Sequence, residues 1–216
     1  MSYWVFIGLS FSILFAAACG IIRFKKTDPE YYPFIFCTWI AAANELLSFF
    51  LAQNKISNIP NNNIYVLIEG LLITWQFKKW GYLIKNNKCY GLLAAVLTGV
   101  WFYEMGNSEA LPGLHFYYRL FYAVVIVSIS ININNRLIIS HKKKLITNPV
   151  FLICTGYIIF FTFKILTDAF WLYKIKSSDA FLYAVYFIMA GINFLVNLLF
   201  LIAVLWIPRR PHYIKL

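Results

Sequence analysis

Long runs of apolar residues recur along the chain and constrain its fold more than any other feature. A helix needs about 20 predominantly apolar residues to cross the hydrocarbon core of a bilayer. Seven segments approach or exceed this length, and the connections between them are brief. They are approximately 3–23, 34–52, 63–83, 89–106, 113–134, 149–173 and 180–207. The sequence therefore predicts an all-α integral membrane protein whose residues 1–216 form one bundle of seven transmembrane helices.

The composition supports the same fold class. Hydrophobic residues make up 62% of the chain and charged residues only 12%, whereas soluble domains carry about 25% charged residues. The apolar surplus exceeds what one soluble core could bury. We therefore expect a multi-pass membrane location, such as a bacterial inner membrane, with the lipid bilayer as the principal partner.

Basic residues are distributed unevenly between the two sides of the predicted bundle. With seven spans, the first, third and fifth loops and the C-terminal tail share one side, which carries fourteen Lys and Arg residues against three opposite. The fourteen are Arg23, Lys25, Lys26, Lys78, Lys79, Lys85, Lys88, Arg136, Lys142, Lys143, Lys144, Arg209, Arg210 and Lys215; the three are Lys55, Lys174 and Lys176. Because cytoplasmic loops are enriched in Lys and Arg, the N-terminus is expected outside and the C-terminus in the cytoplasm.

The formal net charge of +11 is explained by this topology. Basic cytoplasmic loops are attracted to the anionic lipid headgroups of that leaflet. The same loops could also dock an acidic signalling partner in the cytoplasm or the membrane. The sequence gives no reason to expect a nucleic-acid partner.

Among the ionisable residues of the predicted spans, five are candidates for a site within the membrane: Glu45, Glu69, Arg119, Lys164 and Asp168. Charged groups at this depth are costly unless they are paired or solvated, so each is a candidate functional residue. At a rise of about 1.5 Å per residue, three of them lie roughly 8–9 Å below the outer face. Glu45 is deeper and Asp168 is closer to the surface. If these side chains face inward, we expect each charge to find a partner.

Polar and aromatic residues extend the same helix faces. Tyr65 precedes Glu69 by one turn, and Tyr122 follows Arg119 by three residues. Asn193 and Asn197 are four residues apart and share a face of the last helix. The predicted ligand site is an outward-facing, aromatic-lined pocket formed by Glu45, Glu69, Arg119, Lys164, Asp168, Asn193, Asn197, Tyr65 and Tyr122.

Structural roles remain open for the same residues. Lys164 and Asp168 have the i, i+4 spacing of an ion pair along one helix, and Asp168 could be interfacial. Glu69 and Arg119 could form an interhelical clamp, and the two asparagines could hold helices together through hydrogen bonds. Glu45 could be a protonated structural residue.

No cofactor or metal site is expected. Cys19, Cys37, Cys89 and Cys154 follow no metal-binding or disulfide pattern, and two of the three histidines fall in predicted cytoplasmic segments. The H-E-x-x-H and G-x-S-x-G motifs are absent. An intramembrane enzyme using Glu45 and Glu69 as acid and base is therefore a less favoured alternative.

A possible internal repeat favours a transporter or channel as the main alternative. The stretch "FKKTDPEYYPFIFCT" opens the second predicted helix and "HKKKLITNPVFLICT" opens the sixth. Both run from a basic cluster through Pro and an aromatic residue to Cys-Thr. Two triplets of helices around a central fourth would be an arrangement similar to that of the SWEET sugar transporters, although their Pro-Gln signature is absent. We expect a ligand-binding or sensory role through a partner protein, with small-solute transport as the alternative.

Overall fold

Each predicted apolar segment is helical in the computed structural model, which describes residues 3–82, 87–107, 113–140, 145–172 and 179–209. These residues form the α-helices α1 (Tyr3–Ser10), α2 (Ile13–Arg23), α3 (Tyr32–Gln53), α4 (Ile59–Lys79), α5 (Asn87–Gly106), α6 (Phe116–Ser140), α7 (Pro149–Leu172) and α8 (Asp179–Trp206). Short 3-10 turns precede α3 at Pro29–Tyr31 and α7 at Leu145–Thr147. Within the described part, the one β-type pairing is an isolated antiparallel bridge between Thr27 and Arg209.

The first predicted helix, over 3–23, is divided into α1 and α2 at Phe11–Ser12. Ser12 Oγ donates a hydrogen bond to the Leu9 carbonyl at 2.6 Å and accepts one from Asn197 Nδ2 at 2.9 Å. Serine hydroxyls that bond to nearby carbonyls offer the backbone an alternative to the helical pattern. The division therefore lies where a contact with α8 fixes the serine.

Two helices differ from their predicted boundaries. The third segment, predicted over 63–83, is α4: it begins earlier, with Pro60 in its first turn, where a missing N–H costs nothing. It ends at Lys79 because Gly81 adopts a left-handed φ of 73°. The fifth segment was predicted to end at residue 134, but α6 continues to Ser140.

Six helical segments are long and apolar enough to cross a membrane. They are Ile7–Lys26, Pro29–Gln53, Cys89–Gly106, Phe116–Ile139, Pro149–Leu172 and Phe181–Trp206. These segments confirm a helical, multi-pass membrane protein by length and composition. The remaining long helix, α4, has 21 residues but carries three asparagines, Gln76 and three charged residues. Several residues behind the orientation prediction lie outside the described residues: Lys85, Lys142, Lys143, Lys144, Lys174, Lys176, Arg210 and Lys215.

Helices α2, α3, α4, α6, α7 and α8 form a closed ring, and α1 lies beside α8. Around it, α2 packs on α3, α3 on α4, α4 on α6, α6 on α7, α7 on α8, and α8 on both α1 and α2. Helix α5 lies outside the ring and packs against α4 and α6. The five largest fully buried side chains are all aromatic: Phe34, Phe77, Tyr118, Tyr122 and Phe161. The ring therefore has an aromatic core with polar groups set into it.

Gln76 joins the start of α3 to α4. Its Oε1 accepts a hydrogen bond from the Phe34 N–H at 2.8 Å, and its Nε2 donates one to the Glu30 carbonyl at 2.6 Å. The first N–H groups of a helix have no partner within the helix. Gln76, which is fully buried, satisfies one of them and fixes the two helices relative to each other.

Candidate functional site

The ring surrounds a cavity of about 260 Å³. Asn62 and Arg119, near the starts of α4 and α6, line one end of the cavity, and Phe34, in the first turn of α3, lines the other. Its polar lining residues are Ser10, Thr38, Asn44, Glu45, Asn62, Tyr65, Glu69, Arg119, Tyr157, Lys164, Tyr186, Asn193 and Asn197. Its apolar lining includes four phenylalanines, Phe34, Phe160, Phe161 and Phe200.

Glu69 is the most densely bonded polar group at this cavity. Its Oε1 accepts a hydrogen bond from Tyr65 OH at 2.7 Å, and its Oε2 accepts one from Tyr122 OH at 2.8 Å. Lys164 Nζ lies 3.6 Å from the same Oε2 and also donates to Tyr122 OH. Both carboxylate oxygens of this buried residue are therefore occupied.

A second ion pair joins α6 to α7. Arg119 Nε donates to Asp168 Oδ2 at 3.2 Å. Asp168 is 6% exposed, so its carboxylate is enclosed by the bundle. The alternatives of a Lys164–Asp168 pair along α7 and a Glu69–Arg119 clamp are wrong. Lys164 pairs with Glu69, and Arg119 pairs with Asp168.

Glu45 differs from the other two acids. It lines the cavity, yet it makes no hydrogen bond or ion pair with any residue that the structure describes. The prediction that each charge finds a partner is therefore wrong for Glu45, because both bases are already paired elsewhere. Its neighbour Asn44 is engaged too, since Asn44 Oδ1 accepts a hydrogen bond from Asn61 Nδ2 at 2.8 Å.

The two asparagines of α8 have different surroundings. Asn197 is buried and donates to Ser12, which links α8 to the break between α1 and α2. Asn193 lines the cavity, and its side chain makes no hydrogen bond within the described part of the chain. Seven of the nine predicted site residues line the cavity; Tyr122 and Asp168 lie behind it, in contact with Glu69 and Arg119.

Several lining residues were missing from the predicted site. Tyr157 contributes a buried hydroxyl without a hydrogen-bond partner in the described residues; it shares the helix face of Lys164, so its spacing could have identified it. Asn62 was excluded because α4 was predicted to begin at residue 63. Pro60, a residue favoured in first turns, indicated the earlier start.

The chemistry available at the cavity is that of charge and hydrogen bonding. No group of three or more His, Cys, Asp and Glu side chains among the described residues is placed to hold a metal ion. No protein-family model, curated protein or solved structure matches the chain. The geometry of the cavity therefore carries the functional argument.

Proposed function

We propose that the protein spans the membrane seven times, with its N-terminus outside, and binds a small molecule in the cavity from the outer side. The seventh span would be α4. Its polar residues Asn63, Glu69 and Gln76 are buried within the bundle, so they need not face lipid. We place the protein in a bacterial inner membrane, where the basic loops give this orientation.

The observation that carries this proposal is the unpaired Glu45 carboxylate in the wall of a polar cavity. An isolated acid within a membrane bundle is expensive, and binding pockets combine apolar walls with a few convergent polar groups. Two ion pairs fix the surrounding helices. A ligand would therefore enter a preorganised site.

A sensory role requires that binding reach a partner protein, because the connections between helices are too short for a signalling domain. Lys25 and Lys26 are exposed just after the end of α2, and Lys79 is exposed at the end of α4. An acidic partner could dock there, in competition with anionic lipid headgroups.

Transport is the second candidate, and the order of helices in the ring favours it. If α2, α3 and α4 exchange places with α6, α7 and α8, respectively, the contact between α2 and α8 corresponds to the contact between α6 and α4. Both contacts are present. The order of contacts around the ring is therefore the order that a two-fold repeat would give, with α5 outside. Repeats of this kind place substrate sites at their interface.

Cavity filling tests the binding proposal. Ala41 lines the cavity, whereas Ala43 on the same helix is exposed on the outer surface of the bundle. Thermal unfolding of wild type, Ala41→Phe and Ala43→Phe would be followed with a panel of small amines, carboxylates, amino acids and sugars. A ligand at 100 times its Kd stabilises by about 2.7 kcal/mol. We expect panel members to stabilise wild type and Ala43→Phe but not Ala41→Phe; equal shifts in Ala41→Phe would overturn the proposal.

Liposome swelling separates binding from transport. Proteoliposomes would be exposed to an inward gradient of each panel compound, and the swelling rate would be followed by stopped-flow light scattering. Transport predicts faster swelling with wild type than with Ala41→Phe for the compounds that stabilise the protein. Equal rates would leave binding and exclude transport of those compounds.

A further inference from the structure

We infer that the cavity takes a small organic monocation, a primary or methylated amine whose ammonium group pairs with Glu45. This inference rests on the proposed function and assigns a ligand class to its site. Three observations support this inference: the charge of the cavity, the ion pairs made by the other two acids at the site, and the aromatic walls.

The formal charge of the site is the first step. Five ionisable groups line or directly support the cavity: Glu45, Glu69, Asp168, Arg119 and Lys164. Two ion pairs neutralise four of them and leave the Glu45 carboxyl without a counter-charge. Charges interact strongly at low dielectric, so an ammonium beside Glu45 would stabilise its ionised carboxylate and balance the site. A carboxylate ligand would place a second acid beside it instead.

The pairing of the other charged side chains is the second step. Both oxygens of Glu69 accept hydrogen bonds from tyrosines, and Asp168, which lies outside the cavity lining, accepts one from Arg119 through Oδ2. Lys164 is held by Glu69 and Tyr122. Among the described residues, Glu45 is therefore the acid of the cavity lining that has no ion-pair or hydrogen-bond partner.

The walls are the third step. Lys164 Nζ lies 5.1 Å from the ring centroid of Tyr122 and 5.6 Å from that of Phe160. An ammonium is therefore already held among aromatic rings beside the cavity, and the faces of such rings attract cations. Asn193, whose side chain lacks a partner in the described part, adds a carbonyl acceptor. The volume of about 260 Å³ lies just below the range of drug-sized sites, which favours a small amine.

Two series of compounds that differ in charge at nearly constant shape test this inference. They are benzylammonium, benzamide and benzoate, and butylammonium, butyramide and butyrate. Kd would be measured by calorimetry for wild type, Glu45→Gln and Glu30→Gln. Glu30 is exposed, and its carboxylate lies outside the cavity, so its variant controls for the loss of one negative charge.

We expect each ammonium compound to bind wild type at least about tenfold more tightly than its neutral and anionic counterparts. Glu45→Gln should remove this preference and Glu30→Gln should retain it. If Glu45→Gln does not fold, Glu45→Asp should keep the preference for the cation.

Other results separate the two claims. Equal or tighter binding of an amide or carboxylate, or an unchanged preference in Glu45→Gln, would overturn the cation assignment. Ala41→Phe would then show whether a binding cavity remains. If no compound of either series binds wild type, the cation assignment fails, and the thermal-unfolding panel with Ala41→Phe then decides the proposed function separately.

Discussion

At the scale of single residues, pairing among the buried charges depends on helix rotation. Lys164 and Asp168 share one face of α7, so either could meet Glu69 or Arg119 from the sequence alone. The rotation of α4 and α6 directs Lys164 to Glu69 and Asp168 to Arg119. The sequence could therefore predict which polar residues converge, but it could not predict their partners or the isolation of Glu45.

A double-mutant cycle measures the coupling within one of these pairs. Glu69→Gln and Lys164→Met each leave a buried charge without its ion partner, which should cost about 3–5 kcal/mol of unfolding free energy. The double variant should cost less than the sum of the two, as followed by denaturant or SDS unfolding. Additive losses would show that the 3.6 Å contact between Lys164 Nζ and Glu69 Oε2 contributes no stability.

At the scale of helices, apolar length predicted all the elements and missed the features that depend on local polar contacts. The break at Phe11–Ser12 has no Pro or Gly to signal it, because it depends on the hydrogen bond between Ser12 and Asn197, 185 residues apart. Helix α6 also extends beyond residue 134, where Asn135 and Arg136 interrupt the apolar run before Leu137. Asn134 contacts Thr155 on α7 at 3.2 Å, so α7 gives this polar end a partner.

Gly156 sets the approach of α7 to α8. A Cβ added there would lie 2.5 Å from Phe200 Cε1, and the Phe200 ring is confined by those of Phe34 and Tyr157 at centroid distances of 5.4 and 5.5 Å. Gly156→Ala should therefore lower the unfolding free energy by about 1–3 kcal/mol.

Gly191 on α8 provides the matched control for that variant, since a Cβ there would meet no atom within 4 Å. Gly191→Ala should be neutral or stabilising by up to about 1 kcal/mol. Thermal unfolding of both variants in the same detergent tests the pair. Equal stability of the two variants would contradict the close helix contact at Gly156.

At the scale of the molecule, the closed ring is the feature that the sequence could not predict. Hydropathy predicts helices, but their order around the cavity depends on contacts distant in sequence, such as that between α2 and α8. The cavity follows from that order. Glu69 and Gln76 lower the hydropathy of α4, and both are buried within the bundle.

The number of spans has a simple consequence for the termini. Seven spans, with α4 included, place the termini on opposite sides of the membrane, whereas six spans place them on the same side. A C-terminal green fluorescent protein should fluoresce, and an N-terminal epitope should be accessible to antibody on intact bacterial spheroplasts. Both termini on one side would contradict the seven-span topology.

The central claim is that the cavity opens to the outer side of the membrane and that Glu45 in its wall binds a cation. It can be tested at Asn193, which lines the cavity, with Leu195 on the same helix as a control because its side chain is 59% exposed on the outer surface. Each residue would be replaced by cysteine after removal of the native cysteines Cys19, Cys37, Cys89 and Cys154.

The decisive measurement is the rate at which membrane-impermeant methanethiosulfonates label these cysteines from the outside of intact cells. Asn193→Cys should react, and its preference for the trimethylammonium reagent over the sulfonate reagent should exceed that of free cysteine in solution. The excess should disappear in Glu45→Gln, and Leu195→Cys, facing lipid, should remain unlabelled. Absence of outside labelling at Asn193→Cys, or a charge preference independent of Glu45, would contradict the account.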